Sequence, residues 1–248
     1  PYYENTNIEK LTKNYFNSIG MNIDSLIKNS DLYEKKGKYQ HACCDNLDRK
    51  TDIRVICNIT PSQRWMDTSL HEFGHAVYEK YLDQNMPWIY REPAHIFTTE
   101  AIAMLFGRMA SNANWMQDML GITDQEKNKI YETSKKILRM EQLVFSRWSQ
   151  VMYRFEKAMY ENPDQDLNKL WWNLVEKYQL LKKPAKRNMP DWSTKIHVAL
   201  YPAYYHNYLM GALLASQLNH YITNNILDKS NGYDQSYVNR KDVGEYFI

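Results

Sequence analysis

The sequence predicts a mainly α-helical fold with a few short strands. Apolar residues recur at three- and four-residue spacing through most of the chain, which is the period of one helix face. A single short stretch, 51–60, instead alternates apolar and polar residues. Glycine and proline are scarce, with 8 of each among 248 residues, so few tight turns are expected. We therefore expect a globular protein built from long helices.

The helical pattern occurs in separate windows, and helix-breaking residues lie between them. In the stretch 51–60, which precedes the second window, Ile53, Val55 and Cys57 alternate with polar residues, so we predict a strand there. The breakers are Gly121 and the prolines at positions 61, 87, 93, 163, 184, 190 and 202. The predicted helices cover residues 6–29, 66–84, 98–118, 124–161, 166–180 and 201–227.

Charge and hydropathy argue against nucleic-acid and membrane partners. Lys and Arg total 31 against 29 Asp and Glu, and the net charge of +2 provides no basic surface for nucleic acid or anionic lipid. The densest basic stretch, 177–187, is interpreted as a solvated loop. No window approaches the roughly 18 apolar residues of a membrane span. The first ten residues lack the apolar centre of a signal peptide.

The two ends of the sequence and its cysteines add two expectations. The chain begins at Pro1 without an initiator methionine, and an amphipathic pattern is under way where it stops, so we expect a piece of a longer polypeptide. The cysteines are Cys43, Cys44 and Cys57, an odd number in one short region. That number argues against a disulfide scaffold and leaves one bridge open.

The stretch 69–82, SLHEFGHAVYEKYL, has the spacing of a zinc-binding helix. His71 and His75 are four residues apart, so on a helix both imidazoles lie on one face and can bind one ion. Glu72 projects about 100° away from His71, where it can reach a metal-bound water without becoming a ligand. The motif therefore supplies two ligands and a general base.

A catalytic zinc takes three protein ligands and keeps its fourth position for water, so one donor is still required. Glu100 lies 25 residues after His75, near the start of a predicted helix that Thr98 or Thr99 can cap. An antiparallel helix pair would bring Glu100 back to His75. The alternative is that Glu100 only stabilises a helix N-terminus. His95 is a weaker candidate ligand, interpreted as a loop residue or as support for a ligand.

Four blocks of the sequence follow one another in a characteristic order: DIRVICNITPSQRWMDTSLHEFGHAVY, EAIAMLFGRM, LWWNLVEKYQ and TKIHVALYPAYYHNYLMGALLASQL. Their order resembles that of the angiotensin-converting-enzyme-like zinc peptidases, a gluzincin family. The resemblance covers about residues 38–222 and implies an almost wholly helical fold with a deep cleft, and removal of dipeptides from peptide C-termini. It further implies that 1–248 is one incomplete catalytic domain, whose missing first half completes the cleft.

The resemblance implies roles for individual residues. It implies one zinc ion bound by His71, His75 and Glu100, with Glu72 as the base. His197 corresponds to a histidine that stabilises the tetrahedral intermediate. The residues that it places at the substrate are Lys195 for the C-terminal carboxylate, and His41 and Ala42 for the peptide backbone.

The segment YPAYYHNYLMG resembles a family segment with two tyrosines three apart, one for the substrate carboxylate and one for the oxyanion, and it can be aligned with that segment in two registers. With one extra residue after His197, Tyr205 binds the substrate carboxylate and Tyr208 the oxyanion; we prefer this register because residues three apart share a helix face. Without the extra residue, Tyr204 would bind the substrate carboxylate, and Asn207 would stand where the oxyanion-binding tyrosine is expected.

The chain departs from the family pattern at several positions. Met104 replaces an aspartate that supports a ligand histidine, so that support must come from elsewhere or be weaker. Gln40 replaces a cysteine, which argues against the family's bridge to Cys57. Asn207 stands where animal members carry a chloride-binding arginine, which argues against chloride activation. Trp171 and Trp172 are assigned to packing.

Three functional hypotheses follow. The leading one is a zinc metallopeptidase of the peptidyl-dipeptidase kind, acting on peptides with a free C-terminus. A single-residue carboxypeptidase or an oligopeptidase of a neighbouring helical family is the alternative among enzymes. A non-catalytic protein that keeps the fold and binds peptides is the third. A purely structural zinc is disfavoured, because the three cysteines lack paired ligand spacing. An extracytoplasmic location rests on the resemblance alone.

Overall fold

The structure, a computed structural model, describes residues 2–227 and 234–248, and these are mainly α-helical as predicted. Short 3₁₀ turns and one π-helical turn, Ile222–Ile226, connect or extend the regular elements. No helix among the described residues combines the length and apolar character needed to cross a bilayer. The helices and strands are α1 (Ile8–Ser18), α2 (Asp24–Asn29), β1 (Cys43–Asn46), β2 (Ile53–Ile56), α3 (Gln63–Lys80), α4 (Ile96–Gly107), α5 (Ala113–Leu120), α6 (Asp124–Glu161), α7 (Leu167–Gln179), α8 (Ile196–Leu200), α9 (Tyr205–Tyr221) and α10 (Lys241–Tyr246).

Three predicted helices are interrupted in the structure. The window 6–29 divides into α1 and α2, and Gly20 between them has φ +87°, which a continuous helix excludes. The window 98–118 divides at a 3₁₀ turn, Arg108–Ser111, after which Asn112 caps α5. The window 201–227 begins with a loop, so its regular helix, α9, starts only at Tyr205. At the first two breaks the apolar period continues because apolar residues in the turns, Met21 and Met109, are also buried, whereas residues 201–203 before α9 are exposed.

The start of α4 differs from the predicted start at Thr98 or Thr99. The helix begins at Ile96, and the cap is His95, whose side chain accepts a hydrogen bond from the Phe97 N–H. Thr98 completes the cap, because its hydroxyl accepts from the His95 N–H. Glu100 therefore lies in the second turn, away from the helix end.

The two strands form an antiparallel pair beside α3. β2 lies within the predicted strand, whereas β1 was not predicted, because Cys43–Asn46 has no alternation of apolar and polar residues. Cys43 pairs with Ile56 and Cys44 with Val55. All three cysteines are free thiols.

The ammonium group of Lys38 fastens the loop before β1 to the end of β2. It donates to the carbonyl oxygens of Asp31, at 2.7 Å, of Tyr33, at 2.8 Å, and of Cys57, and it pairs with the Asp31 carboxylate. Only 5% of the Lys38 side chain is exposed, so these bonds replace its hydration. These bonds therefore hold the loop before β1 against the C-terminal end of β2.

The chain divides into two compact units. The first comprises Pro1–Lys135 and Gly211–Ile248, and the second Lys136–Met210. Each has its own apolar core. In the first, aromatic rings including Tyr15, Phe16, Phe106 and Trp115 contact one another edge to face. The core of the second is formed by Val151, Met152, Phe155, Trp171, Val175 and Val198.

Candidate metal centre

The centre is built on α3 and α4 of the first unit, which pack antiparallel and close together. Early residues of α3 meet late residues of α4: Gly107 lies against Asp67, and Ala103 against Gly74, while Thr98 at the start of α4 meets Tyr78. A Cβ at Gly74 would stand 2.7 Å from the Ala103 Cα, so only glycine permits this approach. The glycine inside HEFGH thus sets the separation of the two helices that carry the site.

The predicted ligands lie together. The Nε2 atoms of His71 and His75 are 3.2 Å apart, and the Glu100 Oε2 atom is 3.6 Å from the first and 3.7 Å from the second. Three donors at about 2.0–2.2 Å from one tetrahedral ion lie about 3.3–3.6 Å from one another. The observed triangle matches that geometry, and within the described residues it is the one acidic or histidine cluster with metal-binding spacing.

The protonation of the two histidines suits a metal. Burial lowers the pKa of His71 to about 4. Burial, together with the neighbouring His71, lowers the pKa of His75 well below its usual value. Both imidazoles are therefore neutral near pH 7, and each keeps a lone pair for a cation.

Glu72 is buried beside the triangle and the strand pair. Burial, with smaller contributions from the carboxylates of Glu100 and Asp45, raises its pKa to about 8. The pKa of Cys44 is raised well above its usual value by burial and in part by Glu72, so this carboxylate lies near both β1 and Glu100. A carboxyl group whose pKa is raised into the neutral range beside a metal triangle is suited to exchange protons during catalysis.

Thr99 contacts one of the two predicted ligand histidines. Its hydroxyl lies 2.7 Å from His75 Nδ1, on the ring edge opposite the Nε2 that joins the triangle. A partner at Nδ1 fixes the orientation of the ring and its tautomer. The Thr99 hydroxyl can thus orient a histidine of the triangle, which the side chain of Met104 cannot do because it lacks a suitable polar group.

In the second unit, another cluster is formed by His197 and three tyrosines, Tyr204, Tyr205 and Tyr208. His197 Nε2 lies 3.1 Å from the Tyr208 hydroxyl, and the His197 ring also contacts the rings of Tyr204 and Tyr205. Asn207, the alternative to Tyr208, is buried with 2% of its surface exposed. The structure therefore brings His197 together with Tyr205 and Tyr208 of the preferred register and also with Tyr204 of the alternative one.

Lys195 and Tyr205 share a neighbour that the sequence did not indicate. The indole N–H of Trp148 donates to the Tyr205 hydroxyl at 2.7 Å, and the Lys195 ammonium lies 5.3 Å from the centroid of the same ring. Trp171 is buried, as its assignment to packing predicts, while Trp172 is half-buried and donates its indole N–H to Asp191.

His41 and Ala42 directly precede β1 in the first unit. The imidazole of His41 is exposed and stands against the Tyr39 ring, and Ala42 is half-buried. Since the sheet contains only β1 and β2 in the described part of the chain, β1 is an edge strand. These two residues thus lie where an extended peptide can approach a sheet edge.

Comparison with known proteins gives the family. The model of Peptidase family M3 matches residues 27–238, which is well over half of the chain. The chain belongs to peptidase family M3. M3 peptidases are zinc metallopeptidases, so the predicted zinc chemistry and peptide substrates are supported, whereas the match does not single out the angiotensin-converting-enzyme-like group. A search of curated proteins gives no significant match.

Three residues of this M3 peptidase that the sequence did not indicate contact predicted site residues, or the helices that carry them, although they lie far from their partners along the chain. Thr99, Gly74 and Trp148 have no motif spacing of their own. The one available signal was HEFGH itself, in which a glycine stands inside a predicted helix directly before His75. Such a glycine indicates a close helix contact.

Proposed function

We propose that this M3 peptidase is a peptidyl-dipeptidase, which removes dipeptides from free C-termini as the angiotensin-converting-enzyme-like enzymes do. One observation supports this specificity: an ammonium group, Lys195, and a phenol, Tyr205, lie on the same indole ring. A cation and a neutral donor together suit a carboxylate.

The His71–His75–Glu100 triangle would hold the zinc ion, with Glu72 beside it. Zinc bound there supplies a Lewis acid for the scissile carbonyl and lowers the pKa of water. Glu72 accepts the proton of the attacking water and returns it to the leaving amine. The burial of Glu72 keeps this proton transfer away from bulk water.

His197 and Tyr208 are proposed to stabilise the oxyanion, since their donor atoms lie side by side. Each carries an N–H or O–H group that can donate to developing negative charge. His41 and Ala42 are proposed to bind the substrate backbone along the edge of β1.

The test of the specificity is mass spectrometry of the products formed from matched peptides with free and amidated C-termini, with and without a chelator. We expect chelator-sensitive loss of two residues from the free C-termini only. Loss of single residues, or internal cuts in both peptides, would keep the zinc chemistry and overturn the dipeptidase assignment. Zinc binding without any cleavage would favour the non-catalytic peptide-binding protein.

An oligopeptidase that cuts within short peptides is the second candidate. The family match supports it as well as it supports a dipeptidase, because membership of M3 defines the metallopeptidase and not the product length. Internal cuts that are indifferent to C-terminal amidation would decide for the oligopeptidase.

The role of Glu72 is tested by Glu72→Ala. We expect the variant to bind one zinc ion, as measured by metal analysis after gel filtration, and to lose turnover by at least about a thousandfold, because the proton acceptor is gone. Glu79→Ala is the matched control: it removes another partly buried carboxylate of α3, one that accepts a hydrogen bond from Asn46, and should keep turnover. Full activity of Glu72→Ala would contradict the mechanism.

A further inference from the structure

We propose that Trp148 is a positioning residue that orients Tyr205 and Lys195, and that it thereby sets the preference of the enzyme for substrates with a free C-terminal carboxylate. The inference rests on the proposed function, because it concerns the same carboxylate-binding pair. All three residues belong to the second unit, so their contacts are internal to it.

The hydrogen bond between Trp148 and Tyr205 has a defined direction. An indole N–H can only donate, so at 2.7 Å the Tyr205 oxygen must be the acceptor. The phenol proton then points elsewhere, and in the part of the chain that the structure describes it has no acceptor. Burial raises the pKa of Tyr205, which keeps this proton on the phenol at neutral pH. The hydrogen bond from Trp148 thus fixes the orientation of the Tyr205 hydroxyl group and leaves its O–H able to donate to a substrate.

The indole face of Trp148 holds the second group. The Lys195 ammonium lies 5.3 Å from the ring centroid, within the range of a cation–π contact. Among the described residues no carboxylate stands within ion-pair distance of this ammonium, and the nearby Asp191 is bound by Arg187. An aromatic face attracts a cation without neutralising its charge. Lys195 is therefore placed to pair with a bound anion.

Trp148 is itself held by the core of the second unit. Its ring stands edge-on to that of Trp171, with centroids 5.8 Å apart and planes at 88°, and Trp171 in turn contacts Phe155 edge-on. A ring fixed in this way has one orientation. The phenol donor and the ammonium are consequently positioned by one rigid side chain, as simultaneous contact with a carboxylate requires.

The experiment compares Trp148→Phe with the wild type on paired peptides with free and amidated C-termini. The substitution keeps an aromatic face for Lys195 and removes the N–H, so we expect the kcat/KM ratio of free to amidated peptide to fall about tenfold, the worth of one hydrogen bond to a charged group. The amidated peptide should be cleaved at about the wild-type rate. Trp172→Phe, which also removes an indole hydrogen bond in this unit, to Asp191, is the control and should keep the ratio.

A double substitution tests whether Trp148 influences the preference for a free C-terminus through Tyr205. If Trp148 acts through Tyr205, Trp148→Phe with Tyr205→Phe should lower the ratio no further than Tyr205→Phe alone. Additive losses would overturn the inference, as would an unchanged ratio or equal losses on both peptides in Trp148→Phe. Trp148→His keeps a ring N–H, so its kcat/KM ratio of free to amidated peptide should stay closer to the wild-type ratio than that of Trp148→Phe. This variant replaces Trp148→Phe in the experiment if the phenylalanine variant does not fold. A wild type that ignores the C-terminal carboxylate would instead reject the proposed function.

Discussion

The imidazole of His75 can present either ring nitrogen to a metal ion, and one hydroxyl group favours Nε2. Thr99 lies 2.7 Å from Nδ1, while Nε2 faces His71 and Glu100. With Nδ1 engaged by the hydroxyl, the lone pair that completes the triangle is on the other nitrogen. Loss of the hydroxyl frees the ring to rotate and to exchange tautomers before a metal can bind.

Thr99→Val should therefore weaken zinc binding by about tenfold with little change in fold, because the substitution keeps the shape of the side chain and removes only the hydroxyl. Competition with a fluorescent chelator measures the affinity. Thr98→Val is the matched control: its hydroxyl completes the α4 cap and contacts Tyr78, so we expect a lower melting temperature with an unchanged zinc affinity. Equal zinc affinities of Thr99→Val and the wild type would show that the hydroxyl does not orient the ligand.

Sequence reasoning reached His71, Glu72 and His75 because one helical turn fixes their relation, and Glu100 because an antiparallel return was the simplest source of a third donor. Thr99 and Trp148 were out of reach for a physical reason. Their roles depend on a partner that only folding brings near: His75, 24 residues before Thr99, and Tyr205, 57 residues after Trp148. Neither pair has a spacing that a helix or strand would impose.

The contact between α3 and α4 determines whether the three donors reach one ion. Gly74 lies against the Ala103 backbone, and Gly211 of α9 would place a Cβ 2.9 Å from that of Glu100. Backbone atoms in packed helices cannot move aside as the end of a flexible side chain can. The geometry of the triangle is thus a property of the helix pair as much as of its ligands.

Gly74→Ala should lower the free energy of unfolding by ~1–3 kcal/mol and weaken zinc binding at the same time, since the added methyl group forces α3 and α4 apart. Chemical denaturation and chelator competition measure the two effects. Gly121→Ala is the control, because its cost of about 1 kcal/mol comes from a left-handed backbone with open space around it. That variant should lose stability and keep its zinc affinity; if Gly74→Ala behaves in the same way, the close approach does not set the site.

The helices were predictable to different degrees. The window 124–161 coincides with α6, because a long uninterrupted amphipathic period is the strongest pattern signal. The windows 6–29 and 98–118 kept their period across turns, since Ile19, Met21 and Met109 in the turns are buried as well. β1 carried no period at all. Burial, and not helicity, is what the apolar period records at those positions.

The residues that the structure describes form two apolar cores, and the predicted metal centre belongs to the first unit. The histidines and Glu100 lie on helices whose other faces are packed in that unit, for example Leu70, Phe73, Ala101 and Leu105. The burial of those faces does not depend on a cation. Zinc bound at the predicted site would therefore add stability to helices that are already folded, unlike the zinc of a small structural domain, whose removal unfolds the chain.

Chelation should abolish turnover while leaving the helical circular dichroism in place. Zinc at 100 times its dissociation constant adds about 2.7 kcal/mol to stability by mass action, so the melting temperature should fall on chelation and recover when zinc is restored. Hydrogen exchange should show the loss of protection in α3 and α4, with α7 of the second unit unchanged, because its core contains none of the ligands. Global unfolding on mild chelation would instead identify a structural zinc, and the peptidase proposal would lose its basis in an open coordination site.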